Sequence, residues 1–182
     1  MTVTPALLMI LCPLIFLAGF VDSIAGGGGL ISLTSYMACG MPAPLALGTN
    51  KFSAIVGGTF ASANYIKTKN YDIQTLIGAV IAALLGSWIG AYCSMKIDDS
   101  VFSIILLIAT PVVLLLVILD KNYSSREDKH GPVTKILICV GIGLVVGFYD
   151  GFYGPGAGMF MQMGFIMLAG LPVKKACGNA RM

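Results

Sequence analysis

The sequence predicts an all-α, polytopic membrane helix bundle, and three observations predict it. Of 182 residues, 57% are apolar and only 10% are charged, against about a quarter charged in a soluble domain. Apolar runs of ~20 residues recur along the chain, the length needed to cross ~30 Å of hydrocarbon. Glycine interrupts two of these runs, and an aspartate stands just before each break: Asp22 before Gly26, Gly27, Gly28 and Gly29, and Asp150 before Gly154 and Gly156. The net charge of +3 is small and scattered. It points to no nucleic-acid partner; the composition makes the lipid bilayer the surrounding medium.

Each element follows in order. Residues 6–25 form the first span, with Pro13 inside it, where neighbouring helices can satisfy the freed carbonyl. The run has no basic flank, since no Lys or Arg precedes Lys51, so it reads as a permanent span and not a cleaved signal. Four consecutive glycines end it, each costing roughly 1 kcal/mol in a helix relative to alanine. Residues 30–39 then make a half-length helix of ~15 Å, closed by Gly40, Pro42 and Pro44. Residues 46–66 and 73–95 are full spans. The second carries Gly86 and Gly90, a small-xxx-small pair that lets another helix approach closely. Residues 101–119, with Pro111, are the most uniformly apolar span. Residues 120–135 are a solvated loop of mixed charge that holds the single histidine, His130. A further span starts at residue 133, carries Gly143 and Gly147, and breaks after Asp150. A short apolar run to Ala169 and a polar close at Lys174, Lys175 and Arg181 complete the chain. Cys12, Cys39, Cys93, Cys139 and Cys177 have no CxxC spacing and read as small packing residues.

The chain repeats itself. Gly19-Phe20-Val21-Asp22 matches Gly147-Phe148-Tyr149-Asp150 at an offset of 128, as do Gly26 with Gly154 and Gly28 with Gly156. After a slip of two residues, Gly40 matches Gly170, Pro42 matches Pro172, Ala46 matches Ala176, Gly48 matches Gly178 and Lys51 matches Arg181. The organisation is therefore one transmembrane domain over 1–182, with repeat one at about 6–120, the loop at 120–135 and a partial repeat two at about 133–182. Repeat one continues into three full spans that repeat two lacks, so the chain reads as C-terminally truncated. The other reading is a short protein that completes itself as a homo-oligomer. The turns at 67–72 and 120–135 hold six Lys or Arg and the turn at 96–99 holds one, so the first two face the cytoplasm. A re-entrant helix at 30–39 gives parallel repeats and a crossing one gives inverted repeats. The re-entrant reading is preferred, although it leaves Lys174, Lys175 and Arg181 on the non-cytoplasmic side.

A half-helix that starts inside a membrane aims unpaired N–H groups and a positive dipole end at the break. Glycine leaves that backbone open to an anion. Lys51 and Arg181 each add a cation near the start of the next helix, and Asp22 and Asp150 could pair with these cations in the empty site or take up a proton. The candidate substrate-binding residues are Asp22, Gly26, Gly27, Gly28, Gly29, Asn50, Lys51, Asp150, Gly154, Gly156 and Arg181. Structural readings stand beside this one. The glycines could serve close helix crossing, the aspartates could cap the half-helices, Lys51 could snorkel to a headgroup, and Asn50 could cap a helix. Phe148, Tyr149, Phe152 and Tyr153 read as packing. No catalytic residue, metal or cofactor is called for: enzymes gather acid–base or ligating groups at one depth, and two separated aspartates and a loop histidine do not.

The segments Asp22–Gly29, Gly48–Lys51 and Gly147–Gly158 resemble the signature segments of the sulfite exporter TauE/SafE family, in order and spacing, and the likeness covers the whole chain. The resemblance implies about eight spans in two related halves and a multi-pass permease of the cell inner membrane. It implies secondary transport of small anions, sulfite or related organosulfur anions such as sulfonates. The alternative is a non-transporting membrane subunit or an anion-binding receptor; a membrane enzyme is the weakest reading.

Overall fold

The structure, a computed structural model, describes residues 5–25, 27–98, 100, 101, 104, 108 and 131–182. The described residues form seven helices: α1 (Pro5–Ala25), α2 (Gly28–Ala38), α3 (Ala43–Lys67), α4 (Ile73–Ser94), α5 (Pro132–Phe152), α6 (Ala157–Met167) and α7 (Val173–Arg181). The predicted span 101–119, with Pro111, lies outside the described residues apart from 101, 104 and 108. So do residues 120–130 of the predicted loop, with His130, and the candidate Gly26.

Local chemistry sets the boundaries. Gly40 and Gly170, with φ of 81° and 69°, lie just beyond α2 and α6, where a left-handed residue stops a helix without steric cost. α3 and α7 both start after a proline, Pro42 and Pro172, with nearly identical backbone angles (φ −56°, ψ 140° and φ −56°, ψ 139°). Asp72 opens α4 by accepting a hydrogen bond from the Gln74 N–H.

α4 and α5 have 22 and 21 residues and a mean hydropathy of 1.9, yet only 22% of each apolar window is buried. A core helix of a soluble protein would be mostly buried. These two are instead apolar on their outer faces, where Leu84, Trp88, Leu137 and Val145 are exposed. They pack backbone to backbone. An ideal Cβ on Gly86 or Gly90 would lie 2.3 Å or 2.1 Å from the carbonyl oxygen of Leu144 or Phe148. One on Gly143, Gly147 or Gly151 would lie 2.5, 2.5 or 2.0 Å from that of Ala79, Ala83 or Ser87. The small-xxx-small pattern thus finds its partner in α5. Because the paired numbers rise together, the two helices run parallel.

The remaining helices take their direction from that seam. Lys51, early in α3, meets Asp150 at the end of α5. Ser62, late in α3, meets α7 at Arg181, and Asn179 of α7 meets Asp72 and Thr75 at the start of α4. α3 therefore runs opposite to α4 and α5. The end of the bundle that carries the 68–72 turn also carries Lys67, Lys69, Lys135, Lys174 and Lys175, which makes it the basic end. The far end carries Lys96.

α1 and α2 form a hairpin inserted from the far end, where Leu11 and Ile15 pack with Leu33, Tyr36, Ala43, Leu47 and Tyr153. α5 and α6 form a hairpin inserted from the basic end, where Phe165, Ile166, Leu171 and Ala176 pack with Cys139, Ile142 and Ala79. The two hairpins so have separate cores at opposite ends, and the matched residues Ala46 and Ala176 are both fully buried, one in each. α1 and α5 run antiparallel. This corrects the preferred parallel arrangement. α2 returns to the end at which α1 began, so α3 starts from that end, and Lys174 and Lys175 fall on the basic end with the other lysines.

Candidate functional site

The hairpin tips meet at the centre of the bundle. Gly29, in the first turn of α2, faces Pro155, just before α6; an ideal Cβ on Gly29 would lie 3.7 Å from Pro155 Cα. Each tip is built by its own glycines. Gly27 is the N-cap of α2, and the Gly28 N–H donates to Asp22 Oδ1 at 3.1 Å. Gly28 also lies against α1, where a Cβ would stand 2.0 Å from the Ala18 carbonyl oxygen. In the other tip Gly154 and Gly156 have φ of 97° and 84°, a left-handed backbone that side-chain-bearing residues rarely adopt. Tyr149 braces this turn by donating its hydroxyl to the Pro155 carbonyl at 2.8 Å.

Two ion pairs flank the tip contact, and they are crossed. Lys51 Nζ of α3 lies 3.2 Å from Asp150 Oδ2 of α5 and donates as well to the Asp150 carbonyl. Arg181 Nη1 of α7 lies 2.9 Å from Asp22 Oδ2 of α1, and Nη2 donates to the Asp22 carbonyl. Each cation from one half of the sequence holds both the carboxylate and the main-chain oxygen of the aspartate in the other half. The matched positions Asp22 and Asp150, and Lys51 and Arg181, thus make the same contacts in reverse. The side chains stay 38% and 43% exposed in the Lys51–Asp150 pair and 19% and 39% in the Arg181–Asp22 pair.

Asn50 breaks the symmetry, since its repeat counterpart is Ala180. Its Oδ1 accepts from Ser32 Oγ and its Nδ2 donates to the Gly29 carbonyl at 3.4 Å. Adjacent residues of α3 so hold both tips, Asn50 the α1–α2 tip and Lys51 the α5–α6 tip. Of the sequence candidates, Asp22, Gly27, Gly28, Gly29, Asn50, Lys51, Asp150, Gly154, Gly156 and Arg181 all gather at these tips. Asp22 both pairs with Arg181 and accepts from the first N–H of α2, so the capping reading holds for Asp22.

Sequence reasoning missed Ser32, Ser62 and Tyr149. Ser62 Oγ donates to the Arg181 carbonyl at 2.6 Å and fixes the cation's backbone on α3. Tyr149 had a signal: it stands where the repeat has Val21, a polar departure beside a matched aspartate. All four aromatics also pack as expected, with Phe148 stacked on Phe152 at 6.2 Å, Tyr149 edge-on to Phe160 at 5.5 Å and Tyr153 buried. A cavity of about 500 Å3 lies along α3 beside Arg181, lined by Ile55, Gly58, Thr59 and Ile66. It is mostly apolar and lies to one side of the converging charges.

Known proteins are similar to this chain in sequence. The chain is 33% identical over 166 residues to "Probable membrane transporter protein ORF9" of Sinorhizobium sp, covering 91% of this chain and 63% of that protein. It is 34% identical over 179 residues to "Probable membrane transporter protein" of Haemophilus influenzae, covering 97% and 69%. It is 35% identical over 180 residues to "Probable membrane transporter protein YfcA" of Escherichia coli, covering 99% and 66%. The chain spans about two thirds of the length of these curated relatives. No solved structure matches. The family model for the sulfite exporter TauE/SafE matches residues 11–182, a stretch that holds both tips, both crossed pairs and the glycine seam. With its broken helices, outward apolar faces and relatives all in agreement, the chain is a membrane protein and belongs to the sulfite exporter TauE/SafE family.

Proposed function

We propose that this chain carries the anion site of a secondary transporter for small oxyanions, sulfite or related sulfonates, and that the site lies where the two hairpin tips meet. The crossed pairing is the observation that carries the reading. Two lone cations at helix breaks, each occupied by a carboxylate from the opposite half, are sites for an anionic group already filled by an internal substitute. A sulfite oxygen replaces a carboxylate oxygen at Lys51 or Arg181, and Asp150 or Asp22 is displaced from its cation. Helix breaks with their N-termini aimed at an anion are a recurring device in transporters. The name of the matched family supports sulfite as the substrate class.

The two halves act as inverted repeats, about 6–120 and 133–182, related by an axis in the membrane plane. Their opposite directions and their matched glycines, prolines and charges support this. The basic end faces the cytoplasm, because its lysines outnumber those of the far end, and the protein is a multi-pass component of the inner membrane. Sulfite flux in proteoliposomes tests the function. Lys51→Ala and Arg181→Ala each abolish flux while the helical content and the detergent-solubilised state are unchanged. Wild-type flux in both variants refutes the site. Sulfite binding without flux in the unmodified protein makes it a receptor and not a carrier.

A further inference from the structure

We infer that the two crossed ion pairs are the two gates of one solute path, Arg181–Asp22 at the basic end and Lys51–Asp150 at the far end, and that they open one at a time. The inference rests on the transport reading above and adds to it the sidedness of each pair.

The geometry separates the pairs along a single rod. Lys51 and Ser62 are both on α3, and eleven residues of helix span ~16 Å. Lys51 holds Asp150 at the first level, and Ser62 holds Arg181, the partner of Asp22, at the second. The tip contact between Gly29 and Pro155 lies between them. Each aspartate sits near the tip of a hairpin that reaches the centre from one end, Asp22 from the far end and Asp150 from the basic end. Asp22 therefore reaches toward the basic end and Asp150 toward the far end. A solute held between the tips meets one ion pair on either way out.

The attachments of the tips explain why one gate can open while the other stays shut. If Lys51 releases Asp150, Asn50 still holds the α1–α2 tip through Ser32 and the Gly29 carbonyl. The α5–α6 hairpin, bound to α4 by the glycine seam, then keeps to α2 and α3 through the apolar packing of Tyr153 and Phe160 and no longer through a charge. If Arg181 releases Asp22, Ala180 offers no such second hold. The α5–α6 tip remains on Lys51, and Tyr149 keeps its turn shaped. Each release so loosens one set of helices and leaves the other pair intact.

Reactivity of a cysteine at the α1–α2 tip tests this. Gly27→Cys places the reporter in a tip position where an added Cβ meets nothing within 4 Å, in a background with the five native cysteines replaced by serine or alanine. A membrane-impermeant thiol reagent is applied to oriented vesicles from either face. Asp22→Asn speeds labelling about tenfold from the basic end only, and Asp150→Asn speeds it about tenfold from the far end only. The charge exchange Lys51→Asp with Asp150→Lys returns the slow rate, which excludes misfolding as the cause of fast labelling. The gates are refuted if both neutralised variants label from the same face, or if neither changes. Sulfite flux of the unmodified protein in the same vesicles separates the two claims: sided labelling without flux refutes the transport reading alone, and flux with unsided labelling refutes the gates alone.

Discussion

Glycine does opposite work in the α4–α5 seam and at the hairpin tips. In the seam, Gly86, Gly90, Gly143, Gly147 and Gly151 face a carbonyl oxygen of the other helix, and a Cβ would stand only 2.0–2.5 Å from it. At the tips, a Cβ on Gly29 would first meet the Asn50 amide at 3.4 Å, one on Gly154 the Lys51 ammonium at 3.1 Å, and one on Gly27 nothing within 4 Å. The first group removes side chains so that two backbones can touch. The second leaves room beside the Asn50 amide and the Lys51 ammonium. The seam contacts are backbone against backbone and leave no room for a side chain, whereas the tips are joined by ion pairs that are partly exposed.

The largest effect therefore falls on the seam. Gly90→Ala and Gly151→Ala each push a methyl group into a backbone oxygen, and neither neighbour is the end of a flexible side chain. Overpacking of this kind costs about 1–3 kcal/mol. The two together separate α4 from α5. Thermal unfolding of the purified protein in detergent reports this as a large drop in midpoint for the double variant. An unchanged midpoint shows that the seam contacts do not hold α4 to α5.

Much of this was legible in the sequence, for reasons that differ by feature. Hydropathy places α4 to within a residue, 73–95 against Ile73–Ser94, because an unbroken stretch of ~20 apolar residues suits little except a bilayer crossing. Gly86 and Gly90 announce a close helix crossing, but a small-residue pattern does not name its partner, and α5 could be identified only in three dimensions. The repeat shows that Asp22 corresponds to Asp150 and Lys51 to Arg181. It does not say whether an aspartate pairs within its own half or across, because both choices respect the match. The direction of the halves was misread for a related reason. Lys174 and Lys175 conflict with parallel repeats, and the structure resolves the conflict by inversion. Ser32 was not legible, since a serine one turn into a half-helix has no signature until Asn50 is placed beside it.

A smaller effect distinguishes the two tip cations. The Arg181 guanidinium reaches both the Asp22 carboxylate and its carbonyl through separate nitrogens, whereas Lys51 does the same from one ammonium. Arg181→Lys keeps the charge and loses the fork. Since Asp22 is 39% exposed, stability falls by no more than about 1 kcal/mol, but the tip is held less firmly. Sulfite flux falls several-fold while the thermal midpoint falls by no more than about 4 °C. A midpoint that drops as far as in the seam variants would erase the distinction between a close-packed seam and ion-paired tips.

The smallest effect, and the sharpest contrast, lies in one pair of adjacent residues. Gly27 and Gly28 look identical in the sequence, yet they belong to different sides of the comparison. A Cβ on Gly28 would lie 2.0 Å from the Ala18 oxygen and 2.4 Å from Asp22 Cβ, whereas Gly27 has open space and a φ of −102° that any residue adopts. Gly27→Ala changes stability by less than about 0.5 kcal/mol. Gly28→Ala forces α2 away from α1, so the Gly28 N–H leaves Asp22 Oδ1 and the α1–α2 hairpin loses its closure. Thermal midpoints of the two single variants decide it. Equal losses would mean that the glycine run acts only through its flexibility, and a loss confined to Gly28→Ala means that close backbone contact at the tip is built one residue at a time.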